Sequence, residues 1–250
     1  MVSFFPDFCP PTIPEVGDED SKTGGVDTDA DREYVDEDEE DLLEGGGEYI
    51  FVIDRSGSMS GNRIRMACDA CELFLKSLPK QSKFNIVSFG SNYSEMFKGS
   101  QSYSEKNLNN AVKKLKTFNA DMGGTEIYAP LDFIYKKKPE PAYPRNIFLL
   151  TDGGVSSPGN VINLVGKNVS SARCHSFGIG SGASRELVKK TAIAGKGSYQ
   201  FINDGETNMN AKVIASLSRA VKPAFADLKA HFGKHGLVQG PSTIPMVFHD

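Results

Sequence analysis

Short apolar runs alternate with amphipathic stretches along most of this chain. The clearest run, residues 49–53, is almost continuously apolar and aromatic, as in a strand buried on both faces of a parallel sheet. Residues 63–78 instead carry apolar side chains at helical spacing, and Pro79 ends the segment. The two periodicities therefore predict a chain in which buried strands alternate with helices.

The same pattern predicts the order of the elements. Strands are predicted at 49–54, 84–89, 146–151, 173–179 and 198–202, with an edge strand at 93–97. Helices are predicted at 63–78, 104–118 (Ser104 as N-cap), 127–137, 161–169, 185–194 and 209–221. This alternation indicates βαβ units. We therefore predict an α/β, three-layer Rossmann-like fold: a mostly parallel central sheet, helices on both faces and one short antiparallel edge strand.

Oxygen-bearing side chains follow three of these segments. Asp54, Ser56 and Ser58 come at the end of the first strand, Asp152 follows the strand 146–151, and Thr125 follows a pair of glycines. In an open α/β sheet, ligands bind beyond the carboxyl ends of the strands. Carboxylates and hydroxyls suit hard cations such as Mg²⁺, Mn²⁺ or Ca²⁺. Ordinary turn chemistry is the alternative interpretation, because Asp, Ser and Gly are common in such loops.

The three segments together, written D-x-S-x-S, T and D, resemble the metal-ion-dependent adhesion site of the von Willebrand factor type A domain. The resemblance covers residues 48–221. It implies a divalent cation, preferably magnesium with manganese or calcium as alternatives, held by Asp54, Ser56, Ser58, Thr125 and Asp152. It also implies a partner protein that presents an Asp or Glu carboxylate, and no catalytic residues.

The segments outside that range differ in composition. Residues 1–14 carry four prolines and predict a β or extended segment, and residues 222–250 predict a C-terminal β or extended appendage. The sequence MVSFFPDF resembles the closing strand of the VIT domain that precedes the A domain in inter-α-trypsin-inhibitor-like proteins, and the appendage resembles the β segment that follows it. The first resemblance implies that the chain is cut from a longer protein or begins where a partner domain would end.

Charge divides the chain into an acidic and a basic part. Residues 15–48 hold 16 acidic and 2 basic residues, whereas residues 49–250 hold 26 basic and 15 acidic ones. Residues 15–47 therefore predict an acidic disordered linker. The run Asp27-Thr-Asp29-Ala-Asp31 begins like an EF-hand loop, but Arg32 stands where glycine is needed, so we predict no calcium site there. At the concentrations that a short tether gives, the linker could occupy the metal site and inhibit it.

Two other functions remain open at this point. Lys136, Lys137 and Lys138, together with Lys113, Lys114 and Lys116, could bind phosphate or nucleic acid, although a solvated helix face is the commoner role of such lysines. A metal-assisted phosphoester hydrolase would use the same cation, but the sequence offers neither a clear general base nor a second metal site. The four histidines form no cluster with a candidate nucleophile.

The four cysteines are scattered, which does not fit a secreted disulfide framework. Cys68 and Cys71 form a C-x-x-C inside a predicted helix, where core packing is the favoured interpretation. No apolar run reaches the ~18 residues of a membrane span, and no signal peptide is evident. These features predict a reducing, cytoplasmic location, and they leave the oligomeric state open.

Overall fold

The computed structural model describes residues 46–155 and 157–221, with the backbones of two further short strands, Ala224–Phe225 and Val247–Phe248. The predicted segment 1–14 lies outside the described residues, as do residues 15–45 of the acidic linker and most of the appendage. The two short strands pair antiparallel with each other. Within the described part, no helix is long and apolar enough to cross a membrane.

Seven strands and six α-helices form the domain described by residues 46–221. The strands are β1 Glu48–Asp54, β2 Lys83–Phe89, β3 Tyr93–Glu95, β4 Gln101–Ser102, β5 Arg145–Thr151, β6 Ala172–Ile179 and β7 Lys196–Ile202. The helices are α1 Asn62–Lys76, α2 Glu105–Leu115, α3 Tyr128–Lys136, α4 Pro158–Lys167, α5 Arg185–Ala194 and α6 Met209–Val221, and a 3₁₀ turn, Gly57–Met59, follows β1. The predicted alternation of strands and helices is confirmed.

The strands form one sheet in the order β3-β2-β1-β5-β6-β7, with β4 also paired to β2. All pairs from β2 to β7 through the centre are parallel, and β3 and β4 both run antiparallel to β2. The predicted antiparallel edge strand is confirmed as β3, and β4 is a second short antiparallel strand that the sequence did not predict. The Asn85 side chain donates to the carbonyl of Phe97 (3.0 Å) and accepts from its N–H (3.2 Å). Phe97 is thus bonded to a side chain of β2, and β3 ends at Glu95, two residues before the predicted end.

Both faces of the sheet are covered, as a mostly parallel sheet requires. On one face an aromatic cluster joins β1, β5 and α1: the ring centroids of Phe51 and Phe148 lie 5.4 Å apart, and those of Phe74 and Phe148 4.6 Å apart. On the other face, Val52 and Leu149 pack in the cluster that includes residues of α3, α4 and α5. The three-layer prediction is confirmed.

Local signals fix several helix starts. The Ser104 hydroxyl accepts a hydrogen bond from the N–H of Asn107 (3.2 Å), which confirms Ser104 as the N-cap of α2. Helix α4 begins at Pro158, three residues before its predicted start, because proline is well suited to the first helical position. Helices α5 and α6 begin and end at the predicted residues.

A buried ion pair closes the edge of the sheet where the parallel strands begin. Arg145 Nε donates to Glu48 Oε2 (2.6 Å), and the Ser100 hydroxyl donates to Glu48 Oε1 (2.6 Å). The same guanidinium donates to the carbonyls of Ile134 (3.0 Å) and Lys137 (2.8 Å) at the end of α3. Both charges of this ion pair therefore have each other and further hydrogen-bond partners.

Candidate metal centre

The first loop of the site follows β1. Asp54, the last residue of β1, is fully buried, and its Oδ1 accepts from the N–H of Ser56 (2.8 Å). Its Oδ2 accepts from the hydroxyl of Thr151 at the end of β5 (2.5 Å). The hydroxyls of Ser56 and Ser58 lie 3.0 Å apart. One strand end thus brings a carboxylate and two hydroxyls into a single group.

The second loop, which carries Thr125, is tied to the first by backbone hydrogen bonds. The N–H of Gly57 donates to the carbonyl of Gly123 (2.8 Å), and the N–H of Met122 donates to the carbonyl of Arg55 (3.0 Å). Gly123 has φ +80°, a conformation that favours glycine. The predicted Thr125 loop therefore lies against the loop of Asp54.

Thr125 itself stands between two anchored residues. The N–H of Gly124 donates to the hydroxyl of Ser91 (2.7 Å), and the N–H of Glu126 donates to the carbonyl of Gly90 (2.8 Å). A Cβ on Gly90 would lie 2.3 Å from the carbonyl oxygen of Met122, so glycine is needed for this close approach. The half-buried Thr125 side chain is held in place through its neighbours on both sides.

The third loop follows β5 and carries Asp152. This side chain is 6% exposed, and its Oδ1 accepts from the N–H of Gly154 (3.3 Å). Its Oδ2 accepts from Arg63 Nη1 (3.3 Å), which also donates to the carbonyl of Ser58 (3.0 Å). Gly153, which follows Asp152, has φ +73°, and a Cβ on it would lie 2.8 Å from the Cβ of Ser184. Arg63 therefore bridges the first and third loops.

The electrostatics of the group are those of two acids placed close together. Burial raises the pKa of Asp54, the hydrogen bonds from Ser56 and Thr151 oppose that shift, and the negative charge of Asp152 adds to it. The guanidinium of Arg63 lies against one of the two acids, Asp152. Two carboxylates and neighbouring hydroxyls form an oxygen-only donor set that fits a hard divalent cation. Within the described ranges, no three residues of the types His, Cys, Asp and Glu cluster for a metal.

A groove opens beside this group. It holds about 300 Å³ and is bounded by the Thr125 loop on one side and by the start of α4 on the other, with Thr125, Glu126, Tyr128, Val155, Asn160 and Val161 among its lining residues. Tyr128 is 45% exposed there. The structure thus offers room for another molecule next to Thr125.

The predicted segments meet, and the structure adds residues that the sequence analysis missed. Thr151 holds Asp54, Ser91 holds the Thr125 loop, and Arg63 holds Asp152. The sequence did offer a signal for Thr151, because it ends a predicted strand directly before Asp152. Arg63 and Ser91 had none, since their contacts are set by the fold and not by spacing along the chain.

The other candidate groups are accounted for by structure. Cys68 and Cys71 are free thiols in α1, and burial raises the pKa of Cys68 to about 12 and that of Cys71 well above its usual value. Two lysines of the predicted basic patch pair with acids, Lys136 with Asp132 (2.6 Å) and Lys137 with Glu95 (2.5 Å). The described part of the chain therefore carries neither a reactive thiol pair nor an intact cluster of free lysines at 136–137.

His175 lies in the core of the sheet. Its ring stacks on Phe148 at 4.7 Å between centroids, and its Nδ1 accepts from the N–H of Ser198 (3.0 Å). Burial lowers the pKa of His175 to about 3. The side chain is fully buried, so it faces no substrate and offers no general base to the hydrolase alternative.

Sequence comparisons place this geometry in a known family. The family model described as von Willebrand factor type A domain matches residues 47–201. A von Willebrand factor A domain-containing protein of Dictyostelium discoideum is 38% identical over 210 residues, and human von Willebrand factor A domain-containing protein 5A is 41% identical over 191 residues. These matches cover 84% and 73% of this chain but 22% and 24% of the relatives, so the chain spans less than a quarter of their length.

Solved structures share the fold at low sequence identity. One is proximal thread matrix protein 1 from the mussel byssus with a zinc-occupied MIDAS (metal-ion-dependent adhesion site) motif. It superposes with a TM-score of 0.57 and 16% sequence identity, and the match covers 73% of this chain and 50% of that one. Another is manganese-loaded TRAP protein of Plasmodium vivax. It superposes with a TM-score of 0.53 and 18% sequence identity, and the match covers 68% of this chain and 72% of that one. The chain belongs to the von Willebrand factor type A domain family.

Proposed function

We propose that this domain is a metal-dependent protein-binding module. Asp54, Ser56, Ser58, Thr125 and Asp152 would hold a divalent cation, through which the domain binds an Asp or Glu carboxylate of a partner protein. Magnesium is the preferred cation, with manganese or calcium as alternatives. The proposal assigns the domain no catalytic reaction.

One observation carries this proposal: the three loops are bonded to one another at the carboxyl edge of the sheet. Gly57 bonds Gly123 across the first two loops, Thr151 bonds Asp54 across β5 and β1, and Arg63 links Ser58 to Asp152. Turn chemistry alone requires no such convergence of two acids, which repel each other. A cation between them would offset that repulsion.

The choice of a partner carboxylate rests on the chemistry of the donor set. A bound magnesium ion usually retains several exchangeable waters, so it supplies a position that a carboxylate can take. Ser58 is exposed and Thr125 is half-buried, which leaves the group open to solvent on that side. Solved relatives in fold are described as zinc-occupied and manganese-loaded, which supports a divalent cation here too.

We further propose that the acidic linker competes for the site. Its surplus of carboxylates is tethered directly before the domain, where the effective concentration of a short tether is in the millimolar range. Deleting residues 15–44 should raise the affinity for an outside carboxylate ligand, and more at low salt than at high salt. An affinity unchanged at low salt would show that the linker only spaces and solubilises.

The cytoplasmic location stays a prediction. Cys68, Cys71 and Cys174 are free in the structure, which fits a reducing compartment. Mass spectrometry of the protein from its own cells, after blocking of free thiols, would show these three cysteines blocked if the prediction holds.

Thermal unfolding with and without metal tests the proposed function. A ligand that binds the folded state alone stabilises it by about 2.7 kcal/mol at 100 times its Kd. Magnesium or manganese should therefore raise the Tm of the wild-type chain, and Asp54→Asn should abolish the increase. Asp69→Ala, which removes an exposed acid from α1, is the matched control and should keep it. If neither metal shifts the wild-type Tm, the proposal fails.

A further inference from the structure

Arg63 occupies a place that the metal-ligand pattern does not explain. It lies in the first turn of α1, and one nitrogen of its guanidinium, Nη1, contacts both the Ser58 carbonyl (3.0 Å) and Asp152 Oδ2 (3.3 Å). The side chain of Arg63 is 34% exposed, whereas that of Asp152 is 6% exposed. A positive charge therefore already stands against one of the two proposed metal-binding carboxylates.

The rest of the Arg63 side chain is held by the loop after β6. A Cβ on Gly180, which has φ +84°, would lie 2.8 Å from Arg63 Nε, and a Cβ on Gly182 would lie 3.7 Å from its Nη2. Gly180 thus leaves the space in which the Arg63 side chain lies, and Gly182 is close beside it. Hydrogen bonds from the backbone and side chain of Ser181 lower the pKa of Asp204, and the nearby charge of Arg63 adds to that shift. The position of Arg63 is therefore built by three loops.

The charges give Arg63 a consequence for metal binding. Asp54 and Asp152 together carry two negative charges when ionised, which a divalent cation alone would neutralise. The guanidinium of Arg63 lies against Asp152 and adds one positive charge. It therefore offsets part of the negative charge of the two acids without any metal, and it repels a cation that binds beside them.

We propose that Arg63 is a built-in counter-ion of the metal site, which holds Asp152 in place without metal and lowers the affinity for a free divalent cation. This inference rests on the proposed function, because it concerns the same five ligand residues. It makes Arg63 a positioning residue and not a ligand. The domain would then keep its three loops assembled whether or not the cation is bound.

Titration of the full chain with manganese chloride by calorimetry tests this role. Arg63→Gln removes the charge from a partly exposed position and should tighten manganese binding on the order of tenfold. Arg63→Lys keeps the charge and should leave the affinity near that of the wild type. Arg65→Gln removes an exposed charge two residues along α1 and is the matched control, with little expected change.

Melting in metal-free buffer gives a second reading of the same variants. Without Arg63 the Asp152 loop loses its bridge to Ser58, so the Tm of Arg63→Gln should fall by about 2–4 °C, the shift that a change of about 1 kcal/mol gives in a domain of this size. A lower Tm with unchanged manganese affinity would overturn the counter-ion role and leave a structural one.

The remaining outcomes are also decisive. Tighter manganese binding by Arg63→Lys as well as by Arg63→Gln would refute the role of charge. If Arg63→Gln does not fold, Arg63→Met removes the charge in its place: tighter manganese binding supports the inference, and an affinity equal to that of the wild type overturns it. Failure of the wild-type chain to bind manganese would overturn both this inference and the proposed function, whereas binding with no effect of Arg63→Gln would overturn this inference alone.

Discussion

The two edges of the central sheet treat buried charge in opposite ways. Where the parallel strands begin, Glu48 is matched by Arg145, and that guanidinium also satisfies carbonyls at the end of α3. Where the strands end, Arg63 contacts Asp152, whereas Asp54 accepts hydrogen bonds from the N–H of Ser56 and the hydroxyl of Thr151. At the first edge, here called the closed edge, the buried charges are paired. The second edge, here called the open edge, carries a surplus of negative charge.

This difference separates stability from binding. A buried pair is costly to break, because the partner that remains is a buried charge without a counter-charge. A surplus of acids contributes repulsion and gains stability only when a cation arrives. The beginning of the sheet should therefore govern the folding free energy, and the end of the sheet should govern the response to metal.

The largest effect is expected at the closed edge. Arg145→Met should lower the free energy of unfolding by about 3–5 kcal/mol, because Glu48 would stay buried without its counter-charge. Urea unfolding checks this, and the Tm increase caused by metal should persist in any folded fraction. A loss below 1 kcal/mol would contradict the contrast between the edges.

The next largest effect is the loss of stability in acid, which tests the burial of His175 in the core between the two edges. His175 has its pKa lowered from 6.5 to about 3 by burial, so the folded state disfavours its protonation. As the pH falls below 6.5 the unfolded chain takes up the proton first, and stability should drop by about 3 kcal/mol between pH 7 and pH 4. His175→Gln should remove that part of the pH dependence. Equal acid sensitivity in both proteins would show that His175 is not buried in its neutral form.

A smaller effect is expected at the open edge without metal. Asp152→Asn removes the repulsion on Asp54 but also weakens the contact with Arg63, and these changes oppose each other. The free energy of unfolding in metal-free buffer should therefore change by no more than about 1 kcal/mol. The same variant should lose the Tm increase caused by metal. Destabilisation as large as that of Arg145→Met would erase the distinction between the edges.

The smallest effect belongs to the surface. Lys136→Gln breaks an exposed i, i+4 pair with Asp132 on α3 and should lower the free energy of unfolding less than any of the changes above. Chemical denaturation at low and high salt checks this, because the loss should shrink as salt screens the pair. A loss that is the same at both salt concentrations would mean that Lys136 supports α3 by more than this ion pair.

Much of the fold could be predicted because it depends on local periodicity. Helix α5 and helix α6 lie within the predicted bounds, and Ser104 caps α2 as its position indicated. Strand β4 could not be predicted, since two residues show no period. The end of β3 could not be predicted either, since the backbone of Phe97 bonds the side chain of Asn85 in β2.

The candidate site divides in the same way. Asp54 and Asp152 were predictable because each follows a buried strand, and the carboxyl ends of parallel strands share one edge. The pairing of Glu48 with Arg145 spans 97 residues of chain, and the contact of Arg63 with Asp152 spans 89. Long-range pairs of this kind leave no mark on local spacing, so they required the structure.

The most direct test is anomalous X-ray diffraction from crystals grown with manganese. We expect a single strong manganese peak at the carboxyl edge of the sheet. It should lie within bonding distance, directly or through water, of side-chain oxygens from Asp54, Ser56, Ser58, Thr125 and Asp152. A peak elsewhere, or no peak at that edge in crystals containing saturating manganese, would contradict the claim that these three loops form a metal site.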